Sequence, residues 1–327
     1  MRLAEIITDE RPAPLWRRLR QTGVDDVVIA LPRRTTDWRG NTGDHPWDYT
    51  PLKLFTNALA AEGLRAGAVE DNPPMEAIRY GRPGRDEEIE AICTLIRNLG
   101  RLNIPVWVYG WSPSIGWVRT FAKAVGRGGA RVGGYDHDQL DHSATSIHGP
   151  IHADDLWENL RYFLDRVLPV AEEAGVRIAM HPDDPPVPNV RGMDRIMSSI
   201  AGFERLLEMS DSESNGITFC QGNFTLMTDD LPGAIRSFGS TGRLGLVHFR
   251  DVRGTPMKFV ETFHDEGTTD MLACMRAYRE VGYTGMIRSD HVPLMEGDSQ
   301  DVIGYSEAGQ MFALGYLVGL REAALAD

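Results

Sequence analysis

The chain carries VRIAMH at 176–181, GITFC at 216–220, LGLVH at 244–248 and GMIRSD at 285–290. Each run is short, apolar and rich in β-branched residues, as expected of a strand buried on both faces of a parallel sheet. Each ends in a polar residue: His181, Cys220, His248 and Asp290. The gaps between successive runs are long enough for helices. Reading outward from these runs gives strand candidates at Val176 to His181, Gly216 to Cys220, Leu244 to Phe249 and Gly285 to Asp290. Four more precede them: Leu3 to Ile7, Asp26 to Leu31, Leu64 to Val69 and Pro105 to Tyr109. Helical spacing fills most of the intervals. Arg85 to Leu102 puts Ile89, Ile92, Cys93 and Ile96 on one face, and Asp154 to Ala174 opens with two acids before Leu156, Leu160, Phe163, Leu164 and Val167. Leu314 to Leu325 closes the chain as a further helix. Eight strand–helix alternations predict an α/β protein, a (β/α)8 TIM barrel.

The 327 residues suit a single TIM-barrel domain spanning 1–327. A net charge of -13 argues against nucleic-acid and anionic-membrane binding, which need a basic surface. Three cysteines, Cys93, Cys220 and Cys274, form no disulfide framework and point to a reducing, cytoplasmic compartment. No apolar run approaches the ~20 residues of a membrane span. Two polar stretches break the repeat: a loop at about 38–49 (WRGNTGDHPWDY) and one at about 126–150, the latter following the fourth strand's helix. Both are expected as rim loops that cover a site.

In such a barrel the strand ends share one rim, where active sites form. Two imidazoles, a thiolate and a carboxylate at equal depth then make a site for a borderline or soft divalent ion. Each residue alone also has an ordinary structural reading: a strand-capping histidine, a buried core cysteine. The four together favour the metal. Arg288 and Asp290 share strand parity, so both can face the pocket. In ETFHDEGTTD at 261–270, Asp265 and Glu266 read as a helix start, and His264 is left open. Trp107, Trp111 and Trp117 offer pocket walls or core packing; Arg119 offers an anion contact or a solvated charge. Cys93 and Cys274 read as core. GRGGARVGG at 126–134 lacks the residues of a phosphate loop.

HPDDPP at 181–186, TFCQGNF at 218–224, HFRDV at 248–252, ETFHDEG at 261–267, RSDHVP at 288–293 and FALGYLVGL at 312–320 resemble, in order, the D-mannonate dehydratase family. VEDNPPMEAIRYGRPGRD at 69–86, IRNLG at 96–100 and GWVRT at 116–120 are weaker echoes. The resemblance implies a xylose-isomerase-like barrel of hexuronate catabolism that binds manganese, with zinc, iron(II) or cobalt(II) as other candidates. It implies His181, Cys220, His248 and Asp290 as metal ligands, and Arg288, His291 and Tyr305 as catalytic residues. The activity implied is metal-assisted removal of water from a sugar acid such as D-mannonate, giving a 2-keto-3-deoxy acid. Arg288 is expected to clamp the substrate carboxylate, Tyr305 to act as base and His291 as acid. The alternatives are a sugar isomerase or epimerase on the same barrel, against which Cys220 counts, and a non-catalytic metal- or sugar-binding protein. A small-molecule sugar acid is the expected partner, and a homo-oligomer is left open. The chain departs from the family where Met75 precedes Glu76 and where strand four continues as VYGWSP at 108–113. Trp111 is expected to add apolar surface there, weakening activity on D-mannonate or favouring a less hydroxylated acid.

Overall fold

The computed structural model describes residues 1–33, 43–143, 146–298 and 304–326. Its strands are β1 (Arg2–Ile7), β2 (Asp26–Ile29), β3 (Arg65–Glu70), β4 (Val106–Gly110), β5 (Phe121–Val125), β6 (Arg131–Asp136), β7 (Arg177–His181), β8 (Asn189–Val190), β9 (Met193–Asp194), β10 (Asn215–Cys220), β11 (Leu244–His248), β12 (Val252–Thr255), β13 (Lys258–Glu261) and β14 (Met286–Arg288). Eight of them close a parallel barrel in the order β1-β14-β11-β10-β7-β4-β3-β2. These are the eight runs expected from the sequence. Small and branched side chains fill the barrel, among them Ala4, Val28, Ala68, Val108, Ala179 and Leu246. A larger apolar layer packs the strands against the helices. Local rules explain the longest helix, Ala153–Ala174. Asp154 and Asp155 lie at its positive end, and Gly175 ends it in the left-handed conformation at φ 65°.

Register sets the depth of the site. Cys220 is level with His248, His248 with Arg288, and Gly110 with His181. The eighth strand ends earlier than expected, at Arg288, because Asp290 takes φ 60°. Aspartate tolerates this left-handed conformation better than most residues.

The segment 126–150 is not a plain loop, and no α-helix separates it from strand four among the described residues. The fourth strand's helix, Ala153–Ala174, comes after it. β5 and β6 instead join the hairpin of β12 and β13 in an antiparallel sheet of order β12-β13-β6-β5. That sheet is built from excursions that leave the C-terminal ends of β4 and β11, so it belongs to the active-site rim. Of the expected loop at 38–49, residues 38–42 lie outside the described residues; His45 stacks on Trp47 at 4.5 Å, away from the cavity described below. No helix among the described residues is long and apolar enough to cross a membrane.

Glu5 on β1 is fully buried, accepting from the Ser289 hydroxyl and from the Ile6 amide at 2.8 Å. Burial is the main influence on its carboxyl and raises it to about 7, against the opposing pull of Ser289 and Arg288. The folded protein therefore keeps a proton that the unfolded chain releases near 4.5. This contribution is complete below that pH and is lost as pH rises through about 7, worth up to about 3 kcal/mol. Thermal unfolding at pH 5 and pH 8 should show a smaller drop in Tm for Glu5→Gln than for the parent chain. Equal drops would exclude Glu5 as a source of the pH dependence.

Candidate metal and active site

Three of the four expected ligands converge. The ligand atoms of His181, Cys220 and His248 all lie within 4.8 Å of one another. Cys220 and His248 are fully buried, while His181 is partly exposed and borders a cavity of about 840 Å³. Neither ring nitrogen of His248 has a well-formed hydrogen bond among the described residues, although Nε2 lies 3.3 Å from Glu70 Oε2. Buried imidazole nitrogens are ordinarily paired, and a metal ion would satisfy one of them. The donor set, two imidazoles and a thiolate, therefore fits a divalent transition metal.

Asp290 stands slightly apart from this trio. Its Oδ2 is 3.6 Å from Cys220 Sγ and 3.7 Å from His248 Nδ1. The same oxygen accepts from Arg250 Nε at 2.6 Å, and Oδ1 lies 3.0 Å from Arg288 Nη2. Burial alone would raise this carboxyl. His291, Arg288, His248 and Arg250 overcome that and hold it well below its usual range. It stays a carboxylate within reach of the cluster.

Glu70, at the end of β3, was not singled out in the sequence. It accepts from Arg288 Nη2 with both oxygens, at 3.0 and 2.9 Å. Burial would raise Glu70, but Arg288, then His248 and His181, bring its carboxyl down to about 2. A signal for it existed: RAGAVE at 65–70 ends in an acid, as the other runs end in His181, Cys220 and His248. Arg288 itself is fully buried below the cavity floor, with Nε and Nη1 lacking partners among the described residues.

His291 and Tyr305 meet at the cavity wall, with ring centroids 5.4 Å apart. A backbone bridge makes this possible: the Val292 amide donates to the Gly304 carbonyl at 2.8 Å, returning the chain beside His291. Gly304 has φ +88°, and a Cβ there would come within 3.2 Å of His291 Cδ2. His291 Nδ1 is 2.7 Å from Glu261 Oε1. Burial raises the Tyr305 phenol, outweighing the pull of Arg288 in the other direction.

Several other expectations resolve differently. Arg119 is neither solvated nor free for an anion; it is buried between Asp184 and Glu261. Trp111 does not line the cavity: it is buried, donates to the Leu156 carbonyl at 3.1 Å and packs on Phe163. Trp107 is likewise buried, on Tyr109. Trp117 is the cavity tryptophan, edge-on to His291 at 5.6 Å. Met75 is also buried, so the local cavity wall is Glu76 and Arg79. His264 is buried and bonded to the Ser289 carbonyl at 2.7 Å. Asp265 pairs with Arg127, and the helix Met271–Glu280 is capped by Asp270 instead. Cys93 and Cys274 are buried in helices, as expected.

A closed parallel barrel with a histidine–cysteine–histidine cluster at the C-terminal ends of its strands defines a TIM barrel with a candidate metal site at that rim. A family model described as D-mannonate dehydratase (UxuA) matches residues 10–148 and 146–326. The chain belongs to this family. It is 31% identical to mannonate dehydratase 2 of Halalkalibacterium halodurans over 304 residues, covering 85% of this chain and 88% of that protein. It is 33% identical to the mannonate dehydratase of Enterococcus faecalis over 312 residues, covering 85% and 86%. The crystal structure of mannonate dehydratase from Streptococcus suis serotype2 superposes with a TM-score of 0.89 at 29% identity, covering 100% of this chain and 94% of that one. An L-ribulose 3-epimerase structure, at a TM-score of 0.63 and 15% identity over 99% of this chain and 96% of its own, shares the fold.

Removing a ligand should cost more metal affinity than the roughly 10–100-fold lost when a residue that only orients one is changed. Cys220→Ser and His248→Ala should therefore each carry far less divalent metal per chain after dialysis, by elemental analysis, while retaining the parent circular dichroism. A full metal complement in both variants would refute the cluster as the binding site.

Proposed function

We propose that this protein is a metal-dependent hydro-lyase that removes water from D-mannonate, yielding a 2-keto-3-deoxy acid. The observation that carries this reading is the convergence of His181, Cys220 and His248 beside the same cavity that His291 and Tyr305 line, in a chain of the mannonate dehydratase family. His181, Cys220, His248 and Asp290 would hold the ion, with manganese as the expected metal. The three free cysteines accord with a cytoplasmic enzyme. When bound, the ion supplies Lewis-acid stabilisation of negative charge at the substrate carboxylate and its neighbouring hydroxyl.

The protein's own groups divide the remaining work. Arg288, expected to clamp the substrate carboxylate, lies beneath the cavity floor, where it holds Glu70 and Asp290 of the cavity lining at 2.9 and 3.0 Å. Glu261 is a carboxylate, so it orders His291 with Nδ1 as donor and leaves Nε2 to accept a proton. Tyr305, raised by burial, holds its proton. This supports the reverse of the expected roles: His291 takes the C2 proton and Tyr305 gives one to the departing 3-hydroxyl. The C2–H and C3–O bonds break, a C2–C3 double bond forms, water leaves, and the enol ketonises by taking a proton at C3. General acid–base groups of this kind contribute about 10²–10⁴-fold each.

Two variants separate the roles. His291→Asn should lose both turnover and exchange of the C2 hydrogen with deuterated solvent. Tyr305→Phe should lower kcat by about 10²-fold or more yet retain measurable C2 exchange by NMR. Exchange lost in Tyr305→Phe and kept in His291→Asn would return the base to Tyr305.

The cavity wall also revises the expected specificity. Trp111 and Met75 are packed into the core, so neither removes a contact from the distal substrate end. That end is bordered by Asn72, Glu76, Arg79 and Ser114, which offer polar partners to hydroxyls. Activity on D-mannonate should therefore exceed that on 5- or 6-deoxy analogues, because unpaired polar groups penalise the smaller substrate. Equal kcat/KM on the deoxy acids would show that the distal hydroxyls go unread.

A further inference from the structure

The accessory sheet carries charges that the reaction as derived above uses only at one end. Glu261 closes β13, and Arg119 stands just before β5. Arg119 donates to Glu261 Oε1 through Nη2 at 2.6 Å and through Nε at 3.1 Å. Its second ion pair is with Asp184, from Nη1 to Oδ1 at 2.6 Å and from Nη2 to Oδ2 at 3.0 Å. Asp184 then accepts from Arg250 Nη2 at 2.9 Å, and Arg250 Nε reaches Asp290 at 2.6 Å. The result is an unbroken run of buried ion pairs from Asp290 to Glu261 and on to His291 Nδ1, each charged side chain at most 6% exposed.

We infer that Glu261 is the positioning residue for His291, and that Arg119, just before the accessory sheet, holds Glu261 in place. Burying these charges is costly unless each meets opposite partners in good geometry, and a run this complete serves to fix the carboxylate at its end. A carboxylate on Nδ1 sets the imidazole tautomer and stabilises the imidazolium formed when Nε2 takes a proton. One glycine of the 126–134 stretch now has a reason. A Cβ on Gly133 would come within 2.8 Å of Glu261 Oε2, so this part of β6 stays bare where the carboxylate lies. The accessory sheet is thus part of the catalytic apparatus, and the proton-transfer group is oriented by chain that the barrel itself does not supply.

The inference rests on His291 as a proton-transfer group, and the test separates the two. Glu261→Gln keeps the shape and removes the charge. It should lower kcat by about 10²-fold or more, with KM and metal content within threefold of the parent, roughly the noise of such comparisons. In a His291→Asn background the same change should do nothing further, because its effect passes through the imidazole. In ¹⁵N-histidine NMR spectra of protein loaded with a diamagnetic divalent ion, His291 should lose its single tautomer when Glu261 is changed. Arg119→Lys, which keeps charge but not the fork, should give a smaller change in the same direction and serves where Glu261→Gln is insoluble. Full activity in His291→Asn would overturn the reading of His291. A Glu261→Gln enzyme with parent kcat and an unchanged tautomer, or an additive loss in the His291→Asn background, would overturn the positioning role alone.

Discussion

Asp290 places a carboxylate at 2% exposure in the wall of an apolar barrel, and two arginines make that tolerable. Taking one such charge out of water costs several kcal/mol before partners are counted. Arg288 arrives from the end of β14, two residues before Asp290, and Arg250 from the turn after β11. Each then needs a further carboxylate: Glu70 at the end of β3 for Arg288, Asp184 in the turn after β7 for Arg250. The catalytic rim is consequently tied together by charge, across four barrel strands. Close packing reinforces it: a Cβ on Gly222 would come within 2.7 Å of Arg250 Cζ, so the turn after Cys220 must be bare for the guanidinium to lie there. The histidine–cysteine–histidine cluster sits inside this frame, next to the Asp290 carboxylate that the two arginines hold.

The barrel and the convergence of His181, Cys220 and His248 were legible for one reason. Parallel strands buried on both faces are unbroken apolar runs, so a polar residue at the end of a run stands out. In-register pairing then puts Cys220, His248 and Arg288 at one level. The ion-pair frame was not legible. Arg119 and Glu261 are 142 residues apart, and Arg119 and Asp184 are 65 apart, and no period in sequence links such partners. The accessory sheet was not legible because its strands are short, β5 and β12 are mostly exposed, and Gly133 and Gly134 make β6 read as a loop. The tryptophans were ambiguous for a simpler reason. Only the fold decides that Trp111 turns under the helix Ala153–Ala174 while Trp117, six residues on, turns over the cavity.

The barrel alone says little about chemistry, since an epimerase structure shares it at 15% identity. What separates reactions on a common barrel is the charge around the reacting carbons. An enediolate-forming enzyme must move a proton and put it back; a dehydratase must also protonate a leaving oxygen. That second demand needs a donor distinct from the base, close to it and held in the opposite protonation state. Burial raises the Tyr305 phenol while Glu261 holds His291 at Nδ1, the two rings 5.4 Å apart on one wall. A phenol that keeps its proton, beside an imidazole whose Nδ1 is held by a carboxylate, is the pairing on which the proposed acid–base assignment rests. Here the surroundings differ because one group is held by the accessory sheet's carboxylate, while burial raises the other. The dehydratase reading therefore depends on the parts of the rim that lie outside the eight-stranded repeat.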